Sequence, residues 1–216
     1  VKKAVIELHG WNVSDWRKTV GRLTEPFEKL GYRVEVLDYG YWPFTWQATK
    51  GNPEVAKKLA NLVLKLVGEG YTVDLVAHSN GGTITYIAAN KYQIPINTYV
   101  AIQPALRKDS HPCTSAKLCQ VWYNNGDVPV VLGKWLRWFT PWAKMARPWG
   151  EMGHDGYKGE VTDPPVVQFN GGEDFKVKAN GHSNYFEKSV RGFFLPRIAK
   201  YCDDQRTTVK PEDTGV

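Results

Sequence analysis

The chain has 216 residues, 42% hydrophobic and 23% charged, with a formal net charge of +6. That size admits one domain with a real core, or a domain plus a small cap, and the composition is that of an ordinary soluble globular protein. No stretch approaches the roughly 18 apolar residues of a membrane span, and the Lys and Arg residues are scattered, which favours solubility or a mildly anionic partner and disfavours nucleic acid.

Val1-Lys2-Lys3 leads directly into a strand without the apolar core of a signal peptide, which leaves a cytoplasmic or a processed secreted form open. Residues 4–8 read as that strand. From Ser14, a candidate N-cap, the apolar residues Trp16, Val20, Leu23, Phe27 and Leu30 recur at helical steps, with Pro26 predicting a kink or restart. Residues 33–39 form the next strand, and residues 39–46 an aromatic loop. Asn52-Pro53 predicts a helix start, with a buried stripe of Val55, Leu59, Leu62, Val63 and Leu66. Gly70 closes that helix before a strand over 73–78. A helix over 83–90 and strands over 97–103 and 118–123 follow, the last ending in Asn124-Asn125-Gly126-Asp127. Residues 166–169 and 175–177 are weaker strands, and 185–199 is a final amphipathic helix.

Strands alternating with helices predict an α/β fold with a doubly wound, mostly parallel sheet. The expected organisation is a single domain over 1–202, with a Trp-rich insert at 130–163 and a flexible tail at 203–216. Cys113, Cys119 and Cys202 have no metal-site spacing, and their odd number leaves at least one unpaired within the chain. A Cys113–Cys119 bridge stays open, with buried free thiols favoured.

The segment Ala77-His78-Ser79-Asn80-Gly81-Gly82 follows an apolar strand and opens a helix. It matches the nucleophile elbow G-x-S-x-G, with Ala77 for the first glycine; the strained turn demands tiny residues two positions either side of the serine. His9-Gly10 and Asp127 also follow strands, and His182 lies after the last weak strand, so all fall where open parallel sheets gather their chemistry. In these segments the chain resembles the α/β-hydrolase superfamily, closest to compact bacterial lipases and esterases with an Ala-His-Ser-x-Gly elbow. The order Ser79, Asp127, His182 is the one that resemblance implies, and the long insert before His182 departs from the most compact members.

The resemblance implies an α/β-hydrolase fold and a catalytic set of Ser79 as nucleophile, His182 as base and Asp127 as the group orienting the imidazole. Backbone N–H groups of Trp11 and Asn80 would form the oxyanion hole, with Asn12 beside the acyl site. His154 is the rival base; the neighbouring Asp155 is not expected to orient its ring, since side chains diverge in an extended loop. In the insert, Leu132 and Trp135 are expected in the core, and Trp138, Phe139 and Trp142 are candidate pocket residues. With Lys134, Arg137, Lys144 and Arg147 interleaved, the insert reads either as a lid facing lipid or as core packing.

The expected activity is cofactor-independent and metal-free hydrolysis of carboxylic esters with short-to-medium acyl or aromatic groups, lipase activity coming second. The partner is then a small-molecule ester or a lipid, with transient contact at a lipid interface. An acyltransferase, or a non-catalytic ligand-binding module on the same scaffold, stands as the alternative.

Overall fold

The computed structural model describes residues 1–11, 15–42, 45–127, 149–160, 163–174 and 181–208. Six strands form one sheet in the order β2-β1-β3-β4-β5-β6: β1 Lys2–Leu8, β2 Arg33–Leu37, β3 Tyr71–His78, β4 Ile96–Ile102, β5 Ala116–Tyr123 and β6 Val166–Asn170. Every pairing is parallel. Helices cover both faces, as a parallel sheet buried on both sides requires.

The two-residue period of the strands divides the core. Ala4, Ile6 and Leu8 of β1 face α2 (Thr45–Gly68) and α3 (Asn80–Tyr92), where Leu59, Val63, Ile84 and Ala88 are buried. Val5 faces the other way, towards Phe27 of α1 (Thr24–Lys29) and Phe194 and Ile198 of α5 (Arg191–Thr208). A short α4, Met152–Asp155, packs at the end of β5. The strand order reverses between β1 and β3, so the crevice where such sheets bind ligands opens at Leu8–Gly10 and His78–Ser79.

Several sequence expectations shift. The helix expected from Ser14 is replaced by 3-10 turns at Trp16–Lys18 and Val20–Arg22, followed by the six-residue α1. Asp15, not Ser14, caps the first turn, its carboxylate accepting the Arg17 N–H; Ser14 lies outside the described residues. Pro26 sits in the first turn of α1, where its missing N–H has no intrahelical acceptor to leave empty. α2 begins at Thr45 and runs through Pro53, so Asn52-Pro53 does not start it. The Asn52 side chain is used elsewhere, as described below. Residues 203–208, expected to be frayed, continue α5. The strand expected at 175–177 lies outside the described residues.

All three cysteines are buried, and none of them forms a disulfide. Burial pushes the Cys113 and Cys119 thiols up, and the Cys119 thiol donates to the Cys113 carbonyl at 3.3 Å.

On β1, Glu7 is fully buried, one carboxyl oxygen accepting from the Thr24 hydroxyl at 2.9 Å while the other has no partner among the described residues. Desolvation raises its pKa from 4.5 to about 8, against the Thr24 hydrogen bond, which lowers it. The folded chain therefore holds a neutral carboxylic acid that the unfolded chain ionises above pH 4.5. The sign follows: stability is greatest below pH 4.5 and falls as pH rises towards 8. Glu7→Gln keeps an acceptor for Thr24 and removes the titration. In urea denaturation it is expected to match the wild type at acidic pH and to exceed it above pH 8, by at most about 5 kcal/mol.

Candidate active site

β3 delivers Ser79 to the crevice. Residues Val73–His78 of that strand are buried and Ser79 follows with φ 54° and ψ −120°, a conformation sterically costly for any residue with a Cβ. Three backbone hydrogen bonds hold it there. Its N–H donates to the Ile102 carbonyl at 3.1 Å, and its own carbonyl accepts from Gly82 and Ala105, each at 3.0 Å. The surroundings admit no extra atoms. A Cβ at Gly81 would lie 2.7 Å from the Leu8 carbonyl oxygen and 2.9 Å from that of His9, and one at Gly10 would lie 2.8 Å from the Ser79 Cβ.

Asp127 and His182 converge on this serine from the loops after β5 and β6. Asn124 shapes the first loop: its side chain accepts the Gly126 N–H at 2.8 Å and its carbonyl accepts the Asp127 N–H at 2.9 Å. His182 Nε2 lies 2.6 Å from Ser79 Oγ, and His182 Nδ1 lies 2.8 and 2.9 Å from the two carboxylate oxygens of Asp127. Asp127 is fully buried, while the His182 side chain keeps 22% of its surface exposed. The acid is thus sealed and the base faces the crevice. A carboxylate accepting from Nδ1–H leaves Nε2 unprotonated and free to accept the serine proton.

Two further side chains brace this chain of three. Gln103 Nε2 lies 3.2 Å from Asp127 Oδ2 and 2.7 Å from the Gly181 carbonyl. His78, fully buried, holds its Nε2 3.4 Å from the His182 carbonyl, and its ring centroid is 4.9 Å from that of His182. Burial first, then the nearby His182, drives the His78 pKa well below its ordinary value, so this imidazole stays neutral.

On the other side of Ser79, a buried polar network ties the loop after β1 to the start of α3. The Tyr39 phenol donates to the His9 carbonyl at 2.9 Å, and its ring stacks on His9 at 4.0 Å. Asn80 Nδ2 reaches the Tyr39 oxygen at 3.4 Å. Asn80 and Asn52 exchange two amide hydrogen bonds at 2.9 and 3.0 Å, both side chains being buried. Trp11 and Asn80, the two residues expected to offer backbone N–H groups, therefore sit on segments that this network joins. Trp11 also packs beside Trp149, Trp42 and the buried Ala48, an aromatic patch next to the crevice.

The structure places the other sequence candidates as follows. Asn12, Trp138, Phe139 and Trp142 lie outside the described residues, as do Leu132, Trp135, Phe44 and most of the insert. His154 does not meet Ser79. Its Nδ1 pairs with Asp155 Oδ1 at 2.6 Å, which corrects the expectation that Asp155 could not orient it: α4 turns the two neighbours together. His111 is buried against the Pro164 carbonyl at 2.8 Å. Tyr39 belongs to the aromatic loop expected to face the cleft, whereas Gln103 and Asn52 have no site role in the sequence reading. Gln103 could have been found, because it directly follows a core strand at the ligand-binding edge, whereas Asn52 was masked by its likeness to a helix cap.

Loss of one amide partner strands the other in a dry site, at about 1–3 kcal/mol per unsatisfied group. Asn52→Ala is therefore expected to lower the free energy of unfolding by about 2 kcal/mol in chemical denaturation. Gly81→Ala forces a Cβ against two backbone carbonyls and is expected to lower the melting temperature by about 4–8 °C in calorimetry.

No protein-family model matches the chain, and no curated protein matches it. Solved structures do. The chain is similar to a protein from Xanthomonas campestris pv. campestris assigned to the alpha/beta hydrolase superfamily, at 17% identity and TM-score 0.56 over 94% of this chain and 99% of that one. The Pf2001 esterase of Pyrococcus furiosus aligns at 12% identity and TM-score 0.57, over 94% and 83% of the two chains. Dienelactone hydrolase of Anabaena variabilis aligns at 14% identity and TM-score 0.54, over 94% and 85%. With 94% of this chain aligned in each case, its all-parallel six-stranded sheet flanked by helices has the α/β-hydrolase fold.

Proposed function

We propose that the protein is a serine hydrolase that cleaves carboxylic esters through a covalent acyl-enzyme. The observation that carries this reading is the hydrogen-bonded line from Ser79 through His182 to the sealed Asp127, with the serine on a strained turn at the switch point of the sheet.

In this reading Ser79 Oγ attacks the acyl carbon as its proton passes to His182 Nε2. The resulting imidazolium is balanced by Asp127, which also keeps the ring in the productive tautomer. Negative charge builds on the former carbonyl oxygen, where backbone N–H groups of Asn80 and Trp11 receive it. One such donor is typically worth about 3 kcal/mol of barrier. Collapse breaks the ester C–O bond, and the departing alkoxide takes the proton from Nε2. Water then repeats the sequence: His182 accepts its proton, the acyl carbon accepts its oxygen, and the acid leaves as Ser79 recovers its proton.

The aromatic patch of Trp11, Trp42 and Trp149 supports an apolar or aromatic acyl group over a sugar or a charged peptide. Short-to-medium acyl esters are the first choice. Contact with a lipid interface, and pocket roles for Asn12, Trp138, Phe139 and Trp142, belong to the same proposal.

Ser79→Ala is expected to abolish turnover of p-nitrophenyl acyl esters, by at least about a thousandfold, with an unchanged melting temperature. A fluorophosphonate should label Ser79 alone by mass spectrometry; turnover by the alanine variant would overturn the assignment. Rates across acyl chain lengths, with and without emulsion, separate the esterase from a lipase, whose rate jumps when an interface forms.

A further inference from the structure

We propose that Gln103 is a positioning residue that sets both the charge on Asp127 and the placement of the loop carrying His182, so that one amide nitrogen aligns acid and base together. The inference rests on the serine-hydrolase reading above.

Gln103 directly follows β4 and is fully buried. Its amide nitrogen faces two oxygens with no proton to give, the Asp127 carboxylate at 3.2 Å and the Gly181 carbonyl at 2.7 Å. Only NH2 can satisfy both, which fixes the orientation of the amide without ambiguity. Its two hydrogens are divided between the acid and the residue immediately before the base. The amide oxygen, by contrast, is buried with no hydrogen-bond partner among the described residues. A buried polar atom left unpaired is costly, so the amide is held for its nitrogen and not for a fully satisfied core.

The backbone agrees. Gln103 has φ 44°, one of three non-glycine residues with positive φ among the described residues, and Ser79 is another. Glycine would take that conformation without steric cost, and it has no side chain to reach Asp127. The strained residue is locked from two directions: its N–H donates to the Trp122 carbonyl at 2.7 Å, and Gly153 presses on its carbonyl, where a Cβ would lie 2.7 Å from the carbonyl carbon. That same Cβ would lie 3.0 Å from Asp127 Oδ2. The side chain therefore leaves a fixed base and points at two loop atoms.

The electrostatic effect has a definite sign. An N–H donated to Asp127 Oδ2 draws off negative charge that would otherwise stabilise the imidazolium of His182. Removing it makes the carboxylate–imidazole pair hold its proton more tightly, so the base becomes available only at higher pH. Other titratable groups nearby do not confuse this. Burial keeps His78 neutral and pushes the Tyr185 phenol up, while His9, Asp174 and, on α4, His154 and Asp155 with Lys108 keep their partners in every variant.

The test measures kcat and KM for p-nitrophenyl acetate against pH in the full chain, for the wild type, Gln103→Leu and the isosteric Gln103→Glu. Fluorophosphonate titration counts competent sites, and melting temperature is recorded for each. The leucine variant is expected to lose at least about tenfold in kcat with little change in KM, and its acidic limb should move to higher pH. The glutamate variant, whose buried carboxyl stays protonated beside Asp127 and donates to it in the amide's place, should keep the limb near its wild-type position while losing kcat with the hydrogen bond to the Gly181 carbonyl. If the leucine variant does not fold, the glutamate variant decides the matter by its kcat per titrated site. A merely structural Gln103 would lower the melting temperature in both and leave kcat per titrated site and the acidic limb where they are, and that result overturns the inference. An inactive wild type would sink the serine-hydrolase reading itself, and this inference with it.

Discussion

The backbone of residues 8–10 lies so close to the first turn of α3 that no side chain fits between them. A Cβ on Gly81 would meet the carbonyl oxygens of Leu8 and His9, and one on Gly10 would meet Ser79 itself. This contact depends on β1 and β3 being neighbours at the point where the strand order reverses, so the topology of the sheet and the environment of the serine are one constraint. Everything else around Ser79 is arranged against that fixed pair of backbones. The helix turn gives the serine its strained torsions, and the adjoining loop brings Trp11 and its aromatic neighbours to the crevice.

Around this contact the protein tolerates a degree of polar burial that a purely structural core would avoid. Asp127, Gln103, His78, Asn80 and Asn52 are all nearly inaccessible. Most are matched donor to acceptor, as a dry interior demands. The exceptions, one ring nitrogen of His78 and the amide oxygen of Gln103, lie beside the serine–histidine–aspartate line. Stability given up there is offset by the two large apolar cores on either face of the sheet. Such a division, rigid apolar layers carrying a strained and partly unsatisfied polar edge, is what a preorganised site requires.

Much of this was legible in the sequence because it rests on local rules. The strand alternation in β1, the stripe along α2 and the small residues around Ser79 each follow from a periodicity or a steric demand within a few residues. Ser79, Asp127 and His182 could be selected because each follows a strand, and the three stand in hydrogen-bond contact. What could not be read depends on distant partners. Asn52 has the local character of a cap, but a buried amide 28 positions away claims it, and α2 passes through Pro53. His154 and Asp155 seemed to diverge only because α4 is too short to leave a periodic signal. The run of apolar residues from Trp16 to Leu30 has helical spacing, yet Asp15 caps a tight turn there and Trp16 folds over Gly21.

The cysteines carry a consequence of another kind. All three thiols are buried, and burial disfavours the thiolate at Cys113 and Cys119, so the native fold shields the atoms that alkylating reagents attack. Cys119 lies on β5, the strand that leads to Asp127, and Cys202 on α5, across the sheet. Capture of either sulfur by a maleimide would thus record the opening of its own half of the molecule, a built-in pair of clocks for breathing that requires no foreign label.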